Sequence, residues 1–112
     1  AVRAGVYFLC YLTPAEHLTL PDVDDVTAGV MASRIAAQAG QLASGDPFVR
    51  SRAARLEERI SMARKNLDWP AMREFALDPC MVDKRRAAHP KEEACAMCGN
   101  FCAVKMLREK VI

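Results

Sequence analysis

The sequence predicts a mostly helical segment of an α/β protein, in which one buried strand is followed by helices and a cysteine-rich end. Three observations support this prediction: an apolar run at residues 6–12, a helical apolar repeat within residues 47–67, and three cysteines between Cys95 and Cys102. The length of 112 residues allows one modest domain. The net charge of +2 is too small to favour a nucleic acid or a membrane surface as a partner.

Neither a membrane span nor a signal peptide is predicted. The chain has no window of roughly 18 apolar residues, which a membrane span needs. The apolar run at residues 6–12 lacks both the basic flank and the small-residue cleavage site of a signal peptide. We therefore expect a cytoplasmic protein. The chain begins at Ala1 rather than at a methionine, and we expect it to be the C-terminal piece of a larger protein.

The apolar run at residues 6–12, Val-Tyr-Phe-Leu-Cys-Tyr-Leu, is rich in residues that favour β-structure. Such a run is typical of a strand buried on both faces, in a parallel sheet or a barrel. The loop after it, residues 13–21, contains Glu16 and His17. Because α/β enzymes carry reactive groups on the loops that follow buried parallel strands, both are candidate site residues. An ordinary loop role for each of them remains open at this point.

Helices are predicted over most of the remaining chain. Asp22 is the expected N-cap of a helix that ends at Gly45. A second helix, over residues 47–67, has apolar residues at alternating spacings of four and three, typical of an antiparallel-bundle seam. The seam consists of Val49, Ala53, Leu56, Ile60, Ala63 and Leu67. Two short helices are expected to begin near Asp68 and Asp78, where a proline follows at an early helical position.

The odd number of cysteines, five, argues against a closed set of disulfides. Cys10 and Cys80 are predicted to be packing residues. Residues 84–94 are polar and are expected to form a mobile linker that leads to the other three cysteines.

Cys95, Cys98 and Cys102 have the spacing C-x2-C-x3-C, which is compatible with two kinds of metal site. Zinc needs four ligands, and His89 is the histidine near enough to complete the set. With such a zinc site, the chain would be a small zinc-knuckle binding module. A four-iron cluster held by three thiolates keeps one iron open for S-adenosylmethionine (SAM). The spacing leaves both sites open, as well as a helical interaction domain in which the cysteines are incidental.

Five stretches occur together in one order: Leu-Cys-Tyr-Leu-Thr-Pro-Ala-Glu-His-Leu-Thr-Leu-Pro at 9–21, Ile-Ala-Ala at 35–37, Ala-Arg-Lys-Asn-Leu-Asp-Trp at 63–69, Leu-Asp-Pro at 77–79 and Cys-Ala-Met-Cys-Gly-Asn-Phe-Cys at 95–102. Together they resemble the C-terminal part of the ThiC family, the radical-SAM phosphomethylpyrimidine synthases of thiamine biosynthesis. The resemblance covers essentially the whole chain. The usual cysteine spacing of that family is C-x2-C-x4-C, so the second gap is one residue shorter here.

The resemblance implies a fold, the end of a (β/α)8 barrel followed by a helical C-terminal segment and a flexible cysteine-rich tail. Residues 1–45 would be the end of the barrel, with its strand, metal-binding loop and helix. Residues 46–88 would be the helical segment, and residues 89–112 the cluster-binding tail.

The resemblance also implies a chemistry. Cys95, Cys98 and Cys102 would hold a 4Fe-4S cluster that binds SAM, and His17 would be a ligand of zinc or another divalent metal. The substrate would be 5-aminoimidazole ribonucleotide, converted to the pyrimidine phosphate of thiamine biosynthesis by a homodimer in which each tail closes the partner's active site. A close relative, 5-hydroxybenzimidazole synthase, uses the same substrate, and the residues do not distinguish the two products.

Overall fold

The computed structural model of the chain describes residues 1–89, 94 and 97–110. In these residues the regular structure is helical, which confirms the mostly helical prediction. It consists of two 3-10 turns, Val2–Ala4 and Gly99–Phe101, and of helices α1 (Val23–Leu42), α2 (Pro47–Lys65), α3 (Trp69–Phe75), α4 (Pro79–Arg86) and α5 (Ala103–Lys110). Two compact units are present, Ala1–Arg55 and Leu56–Ile112. None of the helices in the described ranges is both long and apolar enough to cross a membrane.

The predicted strand over residues 6–12 is not present, because this segment has no regular secondary structure. The predicted burial is also wrong, since Tyr7 and Phe8 are 102% and 84% exposed. A strand is held by backbone hydrogen bonds to a neighbouring strand. The described part of the chain contains no second strand that could supply these bonds. The origin of this segment in a barrel therefore stays a prediction.

Two glycines of α1 allow the N-terminal segment to lie directly against this helix. A Cβ atom on Gly29 would collide with the carbonyl oxygen of Leu12, and one on Gly40 would lie 2.5 Å from the Cβ atom of Val2. The two glycines are 11 residues apart (40 − 29), about three helical turns, and so share one face of α1. The segment from Val2 to Leu12 therefore runs antiparallel to α1. A cleft of about 670 Å³ lies between the segment and the helix.

Helix α1 begins as predicted and ends differently. The carboxylate of Asp22 accepts a hydrogen bond from the Asp25 amide at 2.8 Å, and the Asp25 carboxylate accepts one from the Asp22 amide at 3.1 Å. This reciprocal pair confirms Asp22 as the N-cap. The predicted glycine C-terminus at Gly45 is wrong. The helix ends at Leu42, and the amide of Ala43 at the C-cap bonds back to Ala39, so no left-handed residue is required.

The seam predicted on the second helix is confirmed as the less exposed side of α2. Ala53 and Ala63 are buried, and Val49, Leu56 and Ile60 are half-buried. The helix ends at Lys65 rather than at the predicted residue 67, so the half-buried Leu67 lies beyond it. After Lys65 the chain turns sharply at Leu67, which has a φ of +55°. The Asp68 amide donates to the Ala63 carbonyl and the Leu67 amide to the Arg64 carbonyl, at 2.9 and 3.1 Å. These two bonds are those of a Schellman motif, with leucine in the position where glycine is usual.

The two short helices begin near Asp68 and Asp78, as predicted, and the structure shows that these two residues are the N-caps. The carboxylate of Asp68 accepts from the Ala71 amide at 3.0 Å, and that of Asp78 accepts from the Met81 amide at 2.9 Å. A proline lies in the first turn of each helix, as expected. Among the described residues, α3 and α4 are the two helices that pack closely together.

The end of the chain is more regular than expected. The predicted linker over residues 84–94 is wrong at its start, because residues 84–86 form the last turn of α4. Three cationic side chains in that turn favour the helix, since they face the negative end of its dipole. Residues 90–93 lie outside the described residues. Helix α5, which follows the cysteines, is not predicted by the sequence analysis, and the flexibility of the tail stays a prediction.

Candidate metal and cluster site

His17 lies in a tight turn whose centre is the buried Ala15. The Ala15 carbonyl oxygen accepts hydrogen bonds from the amides of Leu18 and Thr19, at 2.9 and 3.0 Å. This turn requires a φ of +60° at His17. Positive φ is uncommon outside glycine, although histidine tolerates it better than most residues do. The backbone conformation of His17 is therefore set by the turn rather than by any contact of its imidazole.

The imidazole of His17 is open to solvent. Its side chain is 92% exposed, and its Nε2 lies 3.9 Å from Oε1 of Glu16. A neutral imidazole with a free nitrogen is a common metal ligand, and a carboxylate beside it favours a bound cation. Over residues 1–89, 94 and 97–110, however, no three His, Cys, Asp or Glu side chains are close enough together to hold a metal ion.

Cys98 and Cys102 lie at the two ends of the 3-10 turn Gly99–Phe101. The Phe101 amide donates to the Cys98 carbonyl at 2.9 Å, and Gly99 has a φ of +51°, a conformation that few other residues adopt. Neither of these two cysteines forms a disulfide. Cys95, the third predicted ligand, lies outside the described residues. The structure thus places two of the three predicted cluster ligands on one short turn.

The surroundings of this turn are suited to a sulfur-ligated group. Cys102 is only 6% exposed and Cys98 is half-buried. Met97, directly before Cys98, and Phe101, directly before Cys102, are 90% and 85% exposed. Thiolates are the ligands that iron–sulfur clusters require. Apolar side chains around such a group limit the access of water and thereby influence its redox potential. The donor set of the turn is therefore compatible with a cluster.

The zinc alternative with His89 receives no geometric support. His89 is exposed, and its amide bonds to the Arg86 carbonyl at 2.9 Å, which continues the turn at the end of α4. His89, Cys98 and Cys102 are all described, and they are not gathered into a possible three-ligand group.

The prediction that Cys10 and Cys80 are packing residues is wrong for this structure, because both are exposed free thiols. Cys10 belongs to the segment that was expected to be a buried strand. Cys80 follows Pro79 in the first turn of α4, so it begins a helix instead of filling a core.

Arg108 is a residue that sequence reasoning missed. Its Nη1 donates to the carbonyl oxygen of Asn66 at 3.0 Å, across 42 residues of sequence. Arg59 and Arg86 were missed as well, and each places its guanidinium carbon 3.9 Å from the ring centre of an aromatic residue, Phe75 and Trp69 respectively. No local sequence signal reveals these contacts, because each depends on how distant segments fold together.

Residues 1–109 match the sequence model of a known protein family, which is described as the Radical SAM ThiC family. The phosphomethylpyrimidine synthase of Pelotomaculum thermopropionicum is 48% identical over 107 residues, which are 94% of this chain and 24% of that protein. That of Methanopyrus kandleri is 48% identical over 111 residues, 97% of this chain and 25% of that protein. Phosphomethylpyrimidine synthase 2 of Syntrophotalea carbinolica is 47% identical over 115 residues, which are 98% of this chain and 25% of that protein. The chain spans about a quarter of the length of these curated relatives.

Proposed function

This chain belongs to the Radical SAM ThiC family, and on that premise we propose that it is the C-terminal part of an enzyme of thiamine biosynthesis. The proposed reaction is the rearrangement of 5-aminoimidazole ribonucleotide to 4-amino-5-hydroxymethyl-2-methylpyrimidine phosphate. Membership of a radical-SAM family implies a 4Fe-4S cluster and SAM. The proposal is supported by the names of the relatives, which are phosphomethylpyrimidine synthases at 47–48% identity.

The observation that carries the proposal is the short turn between Cys98 and Cys102. In the proposed enzyme these two residues and Cys95 hold the cluster. A four-iron cluster with three thiolate ligands supplies the electron that cleaves SAM reductively. Cys102 is itself buried, at 6% exposure. The backbone bond from Phe101 to Cys98 limits how far the two cysteines can separate.

His17 is the proposed ligand of a second metal, zinc or another divalent ion. Its exposed imidazole and the neighbouring Glu16 carboxylate support this role. Because the described residues supply no set of three ligands, the other ligands are proposed to come from the remainder of the barrel. A metal bound there would help to orient and polarise the substrate.

The partners follow from the same proposal. The exposed apolar residues Tyr7 and Phe8 would be covered by the remainder of the barrel, with residues 1–45 as its last part. Residues 46–88 would be the helical segment, and residues 89–112 the tail, which would close the active site of the partner in a homodimer. The exposed Phe101 beside the cysteines supports a tail that meets another surface. We propose a cytoplasmic location for this enzyme.

The experiment is anaerobic purification of the full-length protein, followed by measurement of iron, 5′-deoxyadenosine and product. The proposal expects a brown protein that cleaves SAM and forms the pyrimidine phosphate. Cys102→Ala should abolish cluster binding and SAM cleavage, because two thiolates hold four irons poorly. Cys80→Ala, which changes an exposed cysteine away from the turn, should leave both unchanged. A colourless protein with one tightly bound zinc would overturn the proposal, and a benzimidazole product would assign the chain to the related synthase.

A further inference from the structure

We infer that Arg108 is a positioning residue that fixes the cysteine turn by binding the C-terminal end of α2. The inference rests on the proposed function, since it concerns where the cluster ligands are held. It starts from the 3.0 Å hydrogen bond between Nη1 of Arg108 and the carbonyl oxygen of Asn66.

The end of α2 provides a suitable acceptor. The Schellman bonds after Lys65 use the carbonyl groups of Ala63 and Arg64, and the Asn66 amide bonds to Met62. The carbonyl group of Asn66, directly after the last residue of α2, accepts the hydrogen bond from the guanidinium of Arg108. The last turn of a helix carries the negative end of its dipole, which attracts a cation. A guanidinium at the end of this 19-residue helix therefore gains both a hydrogen bond and a favourable charge interaction.

Helix α5 connects Arg108 rigidly to the cysteines. The Met106 amide donates to the Cys102 carbonyl at 2.9 Å, so Cys102 is part of the first turn of α5. Arg108 is six residues further on (108 − 102), about 9 Å along the helix axis. Cys98 is connected to Cys102 through the 3-10 turn. Fixing Arg108 therefore limits the movement of both cysteines.

The pattern of exposure along α5 agrees with this arrangement. Val104 and Arg108, which are four residues apart and so share a face, are both half-buried, whereas Leu107 is 63% exposed. Arg108 thus lies on the side of α5 that packs against the rest of its unit. The aliphatic part of its side chain contributes to this packing, and its guanidinium reaches the end of α2.

The experiment uses the full-length protein in two states, without and with the cluster. Arg108→Met keeps most of the side-chain volume and removes the donor and the charge. Arg108→Lys, in contrast, retains a hydrogen-bond donor and the positive charge. Lys110→Met is the matched control, because it removes a cation from the exposed end of the same helix.

In the cluster-free protein, hydrogen exchange of the α5 amides should be about tenfold faster in Arg108→Met, the change expected from losing one hydrogen bond to a charged group. Arg108→Lys and Lys110→Met should exchange at the wild-type rate. In the reduced cluster-containing protein, the SAM concentration that gives half of the change in the electron paramagnetic resonance spectrum should rise several-fold in Arg108→Met only.

Equal behaviour of Arg108→Met and Lys110→Met in either measurement would overturn the inference. Failure of the proposed function is distinguishable, because it would appear as a wild-type protein without iron. The exchange experiment on the cluster-free protein would be unaffected by that result.

Discussion

The guanidinium of Arg73 and the carboxylate of Asp83 form a bidentate ion pair between α3 and α4. Nε lies 2.6 Å from Oδ1, and Nη2 lies 2.8 Å from Oδ2. The hydrogen bond from Arg73 lowers the pKa of Asp83, and its charge acts in the same direction. The same hydrogen bond and the charge of Asp83 raise the pKa of Arg73. Both side chains are about half exposed, so solvent weakens the pair.

The first prediction concerns acid stability. Because the pKa of Asp83 is lower in the folded protein than in the unfolded one, the pair stabilises the fold above the ordinary carboxylate range. This contribution is lost as the pH falls through the lowered pKa. We expect the difference in thermal unfolding temperature between wild type and Asp83→Asn to shrink over this fall in pH.

Unfolding followed by circular dichroism at a series of pH values measures this difference. Glu58→Gln, which changes an exposed carboxylate of α2, is the control for the loss of one carboxylate. A gap between wild type and Asp83→Asn that stays constant down to strongly acidic pH would contradict the assignment.

The second prediction concerns the contact between α1 and the N-terminal segment. In the middle of a helix, Gly→Ala is normally stabilising by about 1 kcal/mol. At Gly29, however, the added Cβ atom would collide with the carbonyl oxygen of Leu12 and lie 3.0 Å from its carbonyl carbon. A backbone group cannot rotate away as a side chain can, so we expect Gly29→Ala to destabilise the protein by about 1–3 kcal/mol.

Gly45→Ala is the matched control, because a Cβ atom there has no neighbouring heavy atom within 4 Å. Chemical denaturation of both variants provides the comparison. If Gly29→Ala proved more stable than wild type, residues 11 and 12 would not lie against α1 as described.

The third prediction separates the ligand role of His17 from its backbone role. His17→Ala in the full-length protein should weaken divalent-metal binding by at least about tenfold, since loss of a direct ligand should matter no less than loss of its supporting contacts. Cluster iron should be retained. His17→Asn should also lose metal affinity but keep the wild-type unfolding temperature, because asparagine tolerates the positive φ at this position.

Zinc and iron contents, measured together with product formation, test this prediction. His89→Ala, the control for the removal of an exposed histidine, should change neither metal. Wild-type zinc content and product formation in His17→Ala would show that the histidine has a structural role only.

Local sequence signals were sufficient for much of the helical structure. Asp22 was predicted as an N-cap, and two short helices were predicted to begin near Asp68 and Asp78. Each of the three carboxylates accepts a backbone hydrogen bond from the first turn of its helix. A cap acts on amides two or three residues away, so its effect does not depend on the rest of the fold. The seam of α2 was predictable for a similar reason, because residues spaced by three and four share a face of any helix.

Within the site, the identity of the candidate residues was predictable but their arrangement was not. The positions of Cys98 and Cys102 on one turn follow from their separation of four residues, whereas the burial of Cys102 depends on the packing of its unit. The exposure of Cys10 was predicted wrongly, because the burial of a strand is decided by its neighbours and not by its own apolar residues.

By itself, the sequence determined that most of the chain from α1 to α4 is helical, where these helices begin, and which cysteines and histidine are candidates for binding metal. These features depend on residues that are at most a few positions apart. The tertiary structure alone decided that residues 2–12 lie along α1 at Gly29 and Gly40, and that Arg108 reaches Asn66. Each of these contacts joins residues that are separated by 17 to 42 positions (29 − 12, 108 − 66). Because the free energy of such a contact depends on the position of the whole intervening chain, no short pattern of residues encodes it.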